Sequence, residues 1–255
     1  MRLDVYLAGK GLFDTRTKAK QAIERGEIYL NDKLVVKSSF EVNELADYKI
    51  ERVCEEAFVS LGGFKLSKAI KDFGLNVNGL IAADIGASTG GFTDCLLQSG
   101  AKRVYAVDLN DGLLHRKLKS DERVVSIIKN AKDLKASDFA ESPDILTADL
   151  SFISATMVLP IFYGFLKDGA NMVLLIKPQF ENEKRTRYKN GIIRDKSVVK
   201  RACEKVYEAT AACGFVPVGI TSAPQNKDKN TEFLIYAKKI NGEIPPFDEL
   251  FKNLI

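Results

Sequence analysis

Apolar and polar positions follow two rhythms along this chain. From residue 80 onward, short apolar runs alternate with stretches of helical spacing. The runs are Leu80–Ile85, Arg103–Val107, Val124–Ile128, Ile145–Asp149, Met172–Ile176, Val216–Thr221 and Glu232–Ala237, and the main helical stretches are 91–99, 154–166 and 197–213. Short buried strands alternating with helices predict an α/β fold, a parallel sheet covered on both faces. The last two runs are separated only by residues 222–231. That is too short for a helical crossover, so these two strands are expected to pair as an antiparallel hairpin.

The first 50 residues follow a different pattern. Val5, Leu7 and Leu12 make a short apolar stripe. Asp14 is a candidate N-cap for a helix over Thr15–Arg25, which Gly26 ends. Ile28, Leu30, Leu34 and Val36 alternate at strand spacing around Asn31-Asp32, residues that tolerate a left-handed backbone. The expected unit is helix, helix, hairpin. Residues 41–57 are acidic and mixed, and they read as the end of this unit and a linker. A second pattern opens at Phe58-Val-Ser-Leu-Gly-Gly-Phe-Lys65, followed by a helical spacing of Leu66, Ala69, Ile70 and Phe73 that Gly74 closes. The chain is therefore divided as a small domain over 1–55, a linker over 56–63 and a large domain over 64–255.

The chemistry starts at Asp84-Ile-Gly-Ala-Ser-Thr-Gly-Gly-Phe92, a glycine-rich turn between the first strand and the next helix. Such a turn lets a ligand approach the backbone and meet the N–H groups of a helix start. A dinucleotide fingerprint needs a second glycine where Ser88 stands, and Phe92 falls where a P-loop would place its lysine. Phosphate ligands are disfavoured. Asp108, at the end of the second strand, can accept hydrogen bonds from both hydroxyls of a ribose. Asp84 is placed to hold a cationic amino-acid moiety. A ribose and an ammonium without phosphate point to S-adenosylmethionine.

Composition narrows the class. The chain has 255 residues, 45% of them hydrophobic, with no apolar N-terminal leader and no apolar run of 18 residues. A cytoplasmic protein without membrane contact is expected. Cys54, Cys95, Cys203 and Cys213 lack metal-ligand spacing, and His115 has no second histidine, so no metal site is expected. Net charge is only +4, but it is clustered. One basic zone lies in residues 1–37 and includes Arg2, Arg16, Lys18, Lys20 and Arg25; another lies in 184–201 and includes Lys184, Arg185, Arg187, Lys189 and Arg194. Two such zones suit an extended polyanion, although either alone is also what a solvated surface looks like.

Two resemblances add to this. Arg2-Leu3-Asp4, Gly11-Leu12, Thr15-Arg16, Ala19-Lys20, Ile23, Gly26 and Tyr29-Leu30-Asn31 resemble the S4 RNA-binding domain. In that family the helix bearing Arg16 and Lys20 lies on RNA. Seven strands with the last reversed resemble class I, Rossmann-like methyltransferases. Five motifs in order resemble the TlyA family, an S4 domain joined to an FtsJ-like domain. They are Ser60-x-Gly-Gly-x-Lys65-Leu66, the glycine turn through Asp94, Ala148-Asp-Leu-Ser-Phe-Ile-Ser154, Leu175-Ile-Lys-Pro-Gln-Phe-Glu181 and Gly191-Ile-Ile-Arg-Asp195. Leu61 and Lys132 stand where many members have arginine.

The resemblance implies methylation of a cytidine 2′-hydroxyl in ribosomal RNA, with the large-subunit 23S RNA the expected substrate and 16S RNA a further one. It implies a catalytic set of Lys65, Asp149, Lys177 and Glu232. It implies cofactor contacts from Asp84, Gly86, Ala87, Ser88, Thr89, Gly90, Gly91, Phe92, Asp108, Leu109, Asn130, Ala131 and Asp149. Lys177 is assigned as the base that takes the hydroxyl proton, oriented by Asp149 and Glu232 with Lys65 nearby. Phe152 and Phe180 are placed to stack an extruded base, with a core position an equal reading of Phe152. Tyr188 and Arg187 belong either to an RNA contact or to a solvated loop. The competing classes are a non-catalytic RNA-binding assembly factor and a haemolysin, after the family's older name. The oligomeric state is not legible.

Overall fold

The computed structural model describes residues 1–254 apart from 14, 25, 32, 53–57, 183–190 and 225–228. Chain contacts divide it into two compact units, Met1–Gly63 and Phe64–Ile255.

In the first unit, α1 (Leu3–Gly9) and α2 (Arg16–Glu24) are followed by β1 (Ile28–Leu30), β2 (Lys33–Val35) and β3 (Ile50–Arg52). The strands form an antiparallel sheet in the order β2-β1-β3. Asn31 adopts φ +49° at the β1–β2 turn, as its side-chain type predicts. Three details differ from the sequence expectation. The buried stripe of α1 is Leu3, Tyr6 and Leu7, whereas Leu12 is exposed. The N–H of Lys18 donates to Thr15 Oγ1 at 3.2 Å, so Thr15 caps α2; Asp14 lies outside the described residues. Residues 50–52, read as an acidic, mixed stretch without a periodic run, form a third strand whose Glu51 pairs with Tyr29. That strand is too short and too polar for a periodic signal, and its pairing supplies its order.

The second unit contains α3 (Gly62–Phe73) from Phe64 onward, β4 (Ile81–Ile85), α4 (Gly91–Gln98), β5 (Arg103–Asp108), α5 (Arg116–Lys119) and β6 (Val124–Ile128). It continues with β7 (Ile145–Ala148), α6 (Leu159–Phe165), β8 (Asn171–Ile176), α7 (Pro178–Glu181), α8 (Lys196–Ala212), β9 (Val216–Ser222), β10 (Phe233–Lys238) and α9 (Phe247–Leu250). Among the described residues the sheet has seven strands in the order β6-β5-β4-β7-β8-β10-β9. The first five run parallel, and β10 is antiparallel to both β8 and β9. The expected reversed hairpin is therefore present.

Strand alternation decides which side chains meet which helices. Ile81, Ala83 and Ile85 of β4 join a core with Phe162 of α6 and with Cys203 and Val206 of α8. Asp84 points to the other face, where it meets Thr93 of α4. On that face Phe73 of α3 packs on Tyr236 of β10, with ring centroids 5.4 Å apart. The chain leaves β4 toward β5 and β6, then returns to β7 on β4's other side. This reversal opens a crevice at the C-terminal ends of β4, β5 and β7, where ligands bind in doubly wound sheets.

Candidate active site

Each strand ending at this edge delivers one piece of the site. β4 leads into the glycine turn, where Gly86, φ +84°, leaves no room for a side chain: a Cβ there would lie 2.5 Å from the carbonyl oxygen of Asp149. Ser88, where the dinucleotide motif has glycine, also takes a left-handed backbone at φ +49°. Its N–H donates to Asp108 Oδ2 at 2.8 Å, while the Asn110 N–H donates to Asp108 Oδ1 at 3.1 Å. These bonds fix the Asp108 carboxylate at the end of β5. Asn130 caps the following turn through Lys132 N–H at 3.0 Å. A cleft of about 490 Å³ opens between these segments, lined by Gly86, Ser88, Asp108, Leu109, Asn130, Ala131 and Asp149.

The same cleft is lined by residues that the sequence left unassigned, among them Leu113, Lys129, Leu150 and Ile153. Nothing in their periodicity marks them, because they sit in irregular loops. Other expected contacts do not line it. Ala87, Gly90, Gly91 and Phe92 are buried. Phe92 is a core residue, and Gly90 is required because a Cβ there would run into Leu118 and Leu114. Thr89 is exposed but also stands off the cleft lining.

Asp84 requires a correction. Its side chain is fully buried and is not presented to the cleft. Thr93 Oγ1 donates to one oxygen at 2.7 Å and Thr147 Oγ1 to the other at 3.2 Å. Burial pushes its pKa up to about 7, with the nearby Asp149 charge adding to the rise and the two threonines opposing it. Asp84 ties the start of α4 to β7 in this structure.

At the edge of the cleft four charged side chains converge, one of them the cleft residue Asp149. Lys177 follows β8 and caps α7, whose first residue, Pro178, cannot supply an N–H. Its Nζ lies 2.5 Å from Asp149 Oδ1 and donates to Ser151 Oγ at 2.8 Å. Lys65, in the first turns of α3, lies 2.6 Å from Glu232 Oε2 and 3.7 Å from Asp149 Oδ2. Burial pulls the Lys65 pKa down, but Asp149 and Glu232 outweigh it, so Lys65 lies above the ordinary lysine value and is a fixed cation. Glu232 precedes β10 rather than beginning it, and the pairing of Phe233 with Ile176 sets it across from Lys177. Ser151 is the partner that sequence reasoning missed; it stood inside a recognised motif, but no spacing marked its contact with Lys177.

Phe152 is not core. It is 91% exposed, with φ +66°, and its ring centroid is 5.3 Å from that of Phe180. A bulky residue in this region stores strain of about 1–3 kcal/mol, which its surroundings must hold in place. Of the remaining cleft-independent features, His115 is exposed and its Nδ1 accepts from the Lys117 N–H. Cys95 and Cys203 are buried free thiols, and burial pushes Cys95 up to about 12. No cluster of potential metal ligands exists among the described residues.

The fold agrees with the comparisons. Residues 58–239 match the FtsJ-like methyltransferase family and residues 1–44 match the S4 domain. The chain belongs to the TlyA family of FtsJ-like methyltransferases. It is 41% identical to Hemolysin A of Brachyspira hyodysenteriae over 92% of its own length and 99% of that protein's. It is 34% identical to the 16S/23S rRNA (cytidine-2′-O)-methyltransferase TlyA of Mycobacterium tuberculosis (strain H37Rv), covering 93% of this chain and 89% of that one. A solved structure of a candidate hemolysin from Streptococcus thermophilus aligns with a TM-score of 0.72 at 37% identity, over 98% of this chain and 94% of that one.

In this TlyA-family chain, two of the basic residues expected on RNA share one acid. Arg2 and Arg16 each lie 3.0 Å from the buried Asp4. Burial pushes Asp4 up, but the two guanidinium groups outweigh it and leave its pKa below the ordinary value. The arginines thus have fixed stems and exposed flanks. Lys20 lies 3.8 Å from Glu24 on the surface of α2. Lys18 and Arg194 are exposed. Arg25, Lys184, Arg185, Arg187, Tyr188, Lys189 and Cys54 lie outside the described residues.

Proposed function

We infer that this chain transfers the methyl group of S-adenosylmethionine to the 2′-hydroxyl of a cytidine in ribosomal RNA, with 23S rRNA its first substrate. The observation that carries this reading is the convergence of Lys65, Asp149, Lys177 and Glu232 at the mouth of a cleft that holds Asp108.

The cleft fits the cofactor on three counts. Asp108 presents a carboxylate with lone pairs to spare for ribose hydroxyls. Leu109, Leu113 and Ile153 offer an apolar wall for a purine. Asp149, paired with Lys177 at 2.5 Å, lines the same cleft and puts a carboxylate beside the cofactor's cationic end. Asp108 would hold the ribose, Leu109, Asn130 and Ala131 the base, and the Gly86–Ser88 backbone the amino-acid end. When bound, S-adenosylmethionine supplies an electrophilic methyl group on a sulfonium.

The chain's own residues do the rest. A ribose hydroxyl is a poor nucleophile until its proton leaves. Lys177 takes that proton at Nζ, held in place by Asp149 and Ser151. Lys65 is a cation bound to both Asp149 and Glu232, and it neutralises part of the negative charge around Lys177. Fixing the hydroxyl in line with the methyl group contributes as well, and orientation of this kind is worth up to about 7–11 kcal/mol. Phe152 and Phe180 receive the extruded base on their exposed rings, and Arg2, Arg16, Lys18 and Lys20 bind backbone phosphates.

Two measurements test this. Incubation with labelled S-adenosylmethionine and separated ribosomal subunits or naked rRNA, followed by mapping of 2′-O-methylcytidine, is expected to show label in 23S rRNA. Label in 16S alone would move the substrate, and none in any RNA would favour the assembly-factor reading. The haemolysin reading finds no support in a spanning element, since no described helix is long and apolar enough to cross a membrane. The second measurement is Gly86→Ala. The new Cβ meets the Asp149 carbonyl at a backbone angle unfavourable to alanine. Affinity for S-adenosylmethionine by calorimetry is expected to fall by about 10-fold or more; unchanged affinity would remove the turn from the site.

A further inference from the structure

We propose that Glu181 is a positioning residue for methyl transfer, clamping the turn that carries Asp149, Ser151 and Phe152 onto the turn that carries Lys177 and Phe180. The proposal rests on the reading of the site given above and adds a residue to it.

Glu181 is 3% exposed, a burial that a carboxylate tolerates only when its oxygens are satisfied. They are satisfied from one place. Ser154 Oγ donates to Oε2 at 2.5 Å, and the Ala155 N–H donates to Oε1 at 2.7 Å. Lys205 of α8 donates to the Glu181 backbone carbonyl at 3.1 Å, which anchors the other end of the clamp to a long helix. The two turns are therefore joined at both ends. At the near end Lys177 meets Asp149 and Ser151; at the far end Glu181 meets Ser154 and Ala155. Between them lies Phe152, with its left-handed backbone and its ring against Phe180.

An exposed turn with a strained phenylalanine does not hold its shape alone. It persists where neighbouring contacts over-determine it. Glu181 provides the two contacts that follow Phe152 in sequence, and it does so from the helix that Lys177 caps. Loss of the clamp lets residues 150–156 relax, which withdraws Ser151 and Asp149 from Lys177. Leu150 and Ile153 of this turn also line the cleft, so the clamp is read as a loss in the chemical step larger than any loss of cofactor affinity.

The test compares full-length wild type, Glu181→Ala and Glu181→Gln. Glutamine keeps the shape; its oxygen still accepts from Ala155, and Ser154 can rotate to accept from its amide. Three readouts are taken: the single-turnover rate of methyl transfer to rRNA, the affinity for S-adenosylmethionine, and amide exchange along the chain. Glu181→Ala is expected to slow transfer at saturating cofactor by about 10–100-fold, lower cofactor affinity by a clearly smaller factor, and speed exchange at residues 150–157; Glu181→Gln is expected to restore all of these. A wild-type rate in folded Glu181→Ala overturns the proposal. So does parallel loss of affinity and rate, or a glutamine variant as impaired as alanine. If alanine prevents folding, Ser154→Ala removes one bond of the clamp and is expected to give a smaller loss of rate with the same local exchange; no local change overturns it. If the wild type methylates no RNA, the enzymatic reading fails, and the exchange pattern still decides the clamp.

Discussion

Lys177→Ala is expected to reduce methyl transfer by about 10²–10⁴-fold, the usual worth of a general base, while S-adenosylmethionine still binds. The side chain is only 11% exposed and has no role in the lining of the cofactor cleft. Its contacts, Asp149 and Ser151, line the edge of that cleft, while its own side chain stays outside the lining. Removing it leaves the Asp149 carboxylate with Lys65 as a remaining cationic neighbour at 3.7 Å, so the fold is expected to survive. Lys177→Arg separates two roles. Arginine keeps the positive charge but does not give up a proton near neutral pH. A base predicts that the arginine variant is as inactive as alanine; a fixed cation predicts that it retains activity. Single-turnover transfer to rRNA, with calorimetry for the cofactor, reads the difference. An active Lys177→Ala would move the base elsewhere in the cluster.

Asp84→Asn is expected to flatten the pH dependence of stability between about pH 4 and pH 8. In the folded chain the Asp84 pKa is raised from 3.8 to about 7. The folded state therefore binds a proton more tightly than the unfolded state does. The stabilisation from that proton is complete below the unfolded value and is lost as pH rises through about 7. At 1.36 kcal/mol for each tenfold change, the whole difference is on the order of 4 kcal/mol. Asparagine fills the same space without a charge to bury and is expected to gain on the wild type as pH rises. Asp4, Asp72 and Asp144 are held low by their cationic partners, whatever their burial costs, so they act in the opposite sense. The difference between wild type and Asp84→Asn cancels their contribution. Urea unfolding at pH 5 and pH 8.5 measures it. An equal gap between the two proteins at both values would mean that the buried carboxyl does not titrate in this range.

The contrast between these two residues shows what a motif conveys. Lys177 and Asp84 both sit at the end of a strand, within a recognised run of letters. The fold brings Lys177 beside Asp149, another residue of the set that the motifs named. For Asp84 the letters and the geometry part, because strand alternation turns its side chain onto α4, where Thr93 and Thr147 are in reach. The two ends of the glycine turn differ in the same way. Gly86 and Ser88 line the cleft, whereas Gly90 and Phe92 serve packing. A glycine required for a close approach reads alike in sequence whether a ligand or a leucine approaches it.

The sequence alone determined the order of the seven strands of the large sheet and of its main helices, the reversed hairpin at the end and the strand-end positions of Asp108, Asp149 and Lys177. These follow from local periodicity and from a connection too short to cross the sheet. It also placed the two basic zones and identified the family. It did not determine which residues share an environment. Lys65, Asp149, Lys177 and Glu232 are far apart in the chain, and they meet because antiparallel β10 begins at the edge where β8 ends. Ser151 and Glu181 acquired their contacts the same way, from two irregular turns brought face to face. Period and propensity act over a few residues, whereas register between strands distant in sequence is settled only when the sheet assembles; that register builds the site.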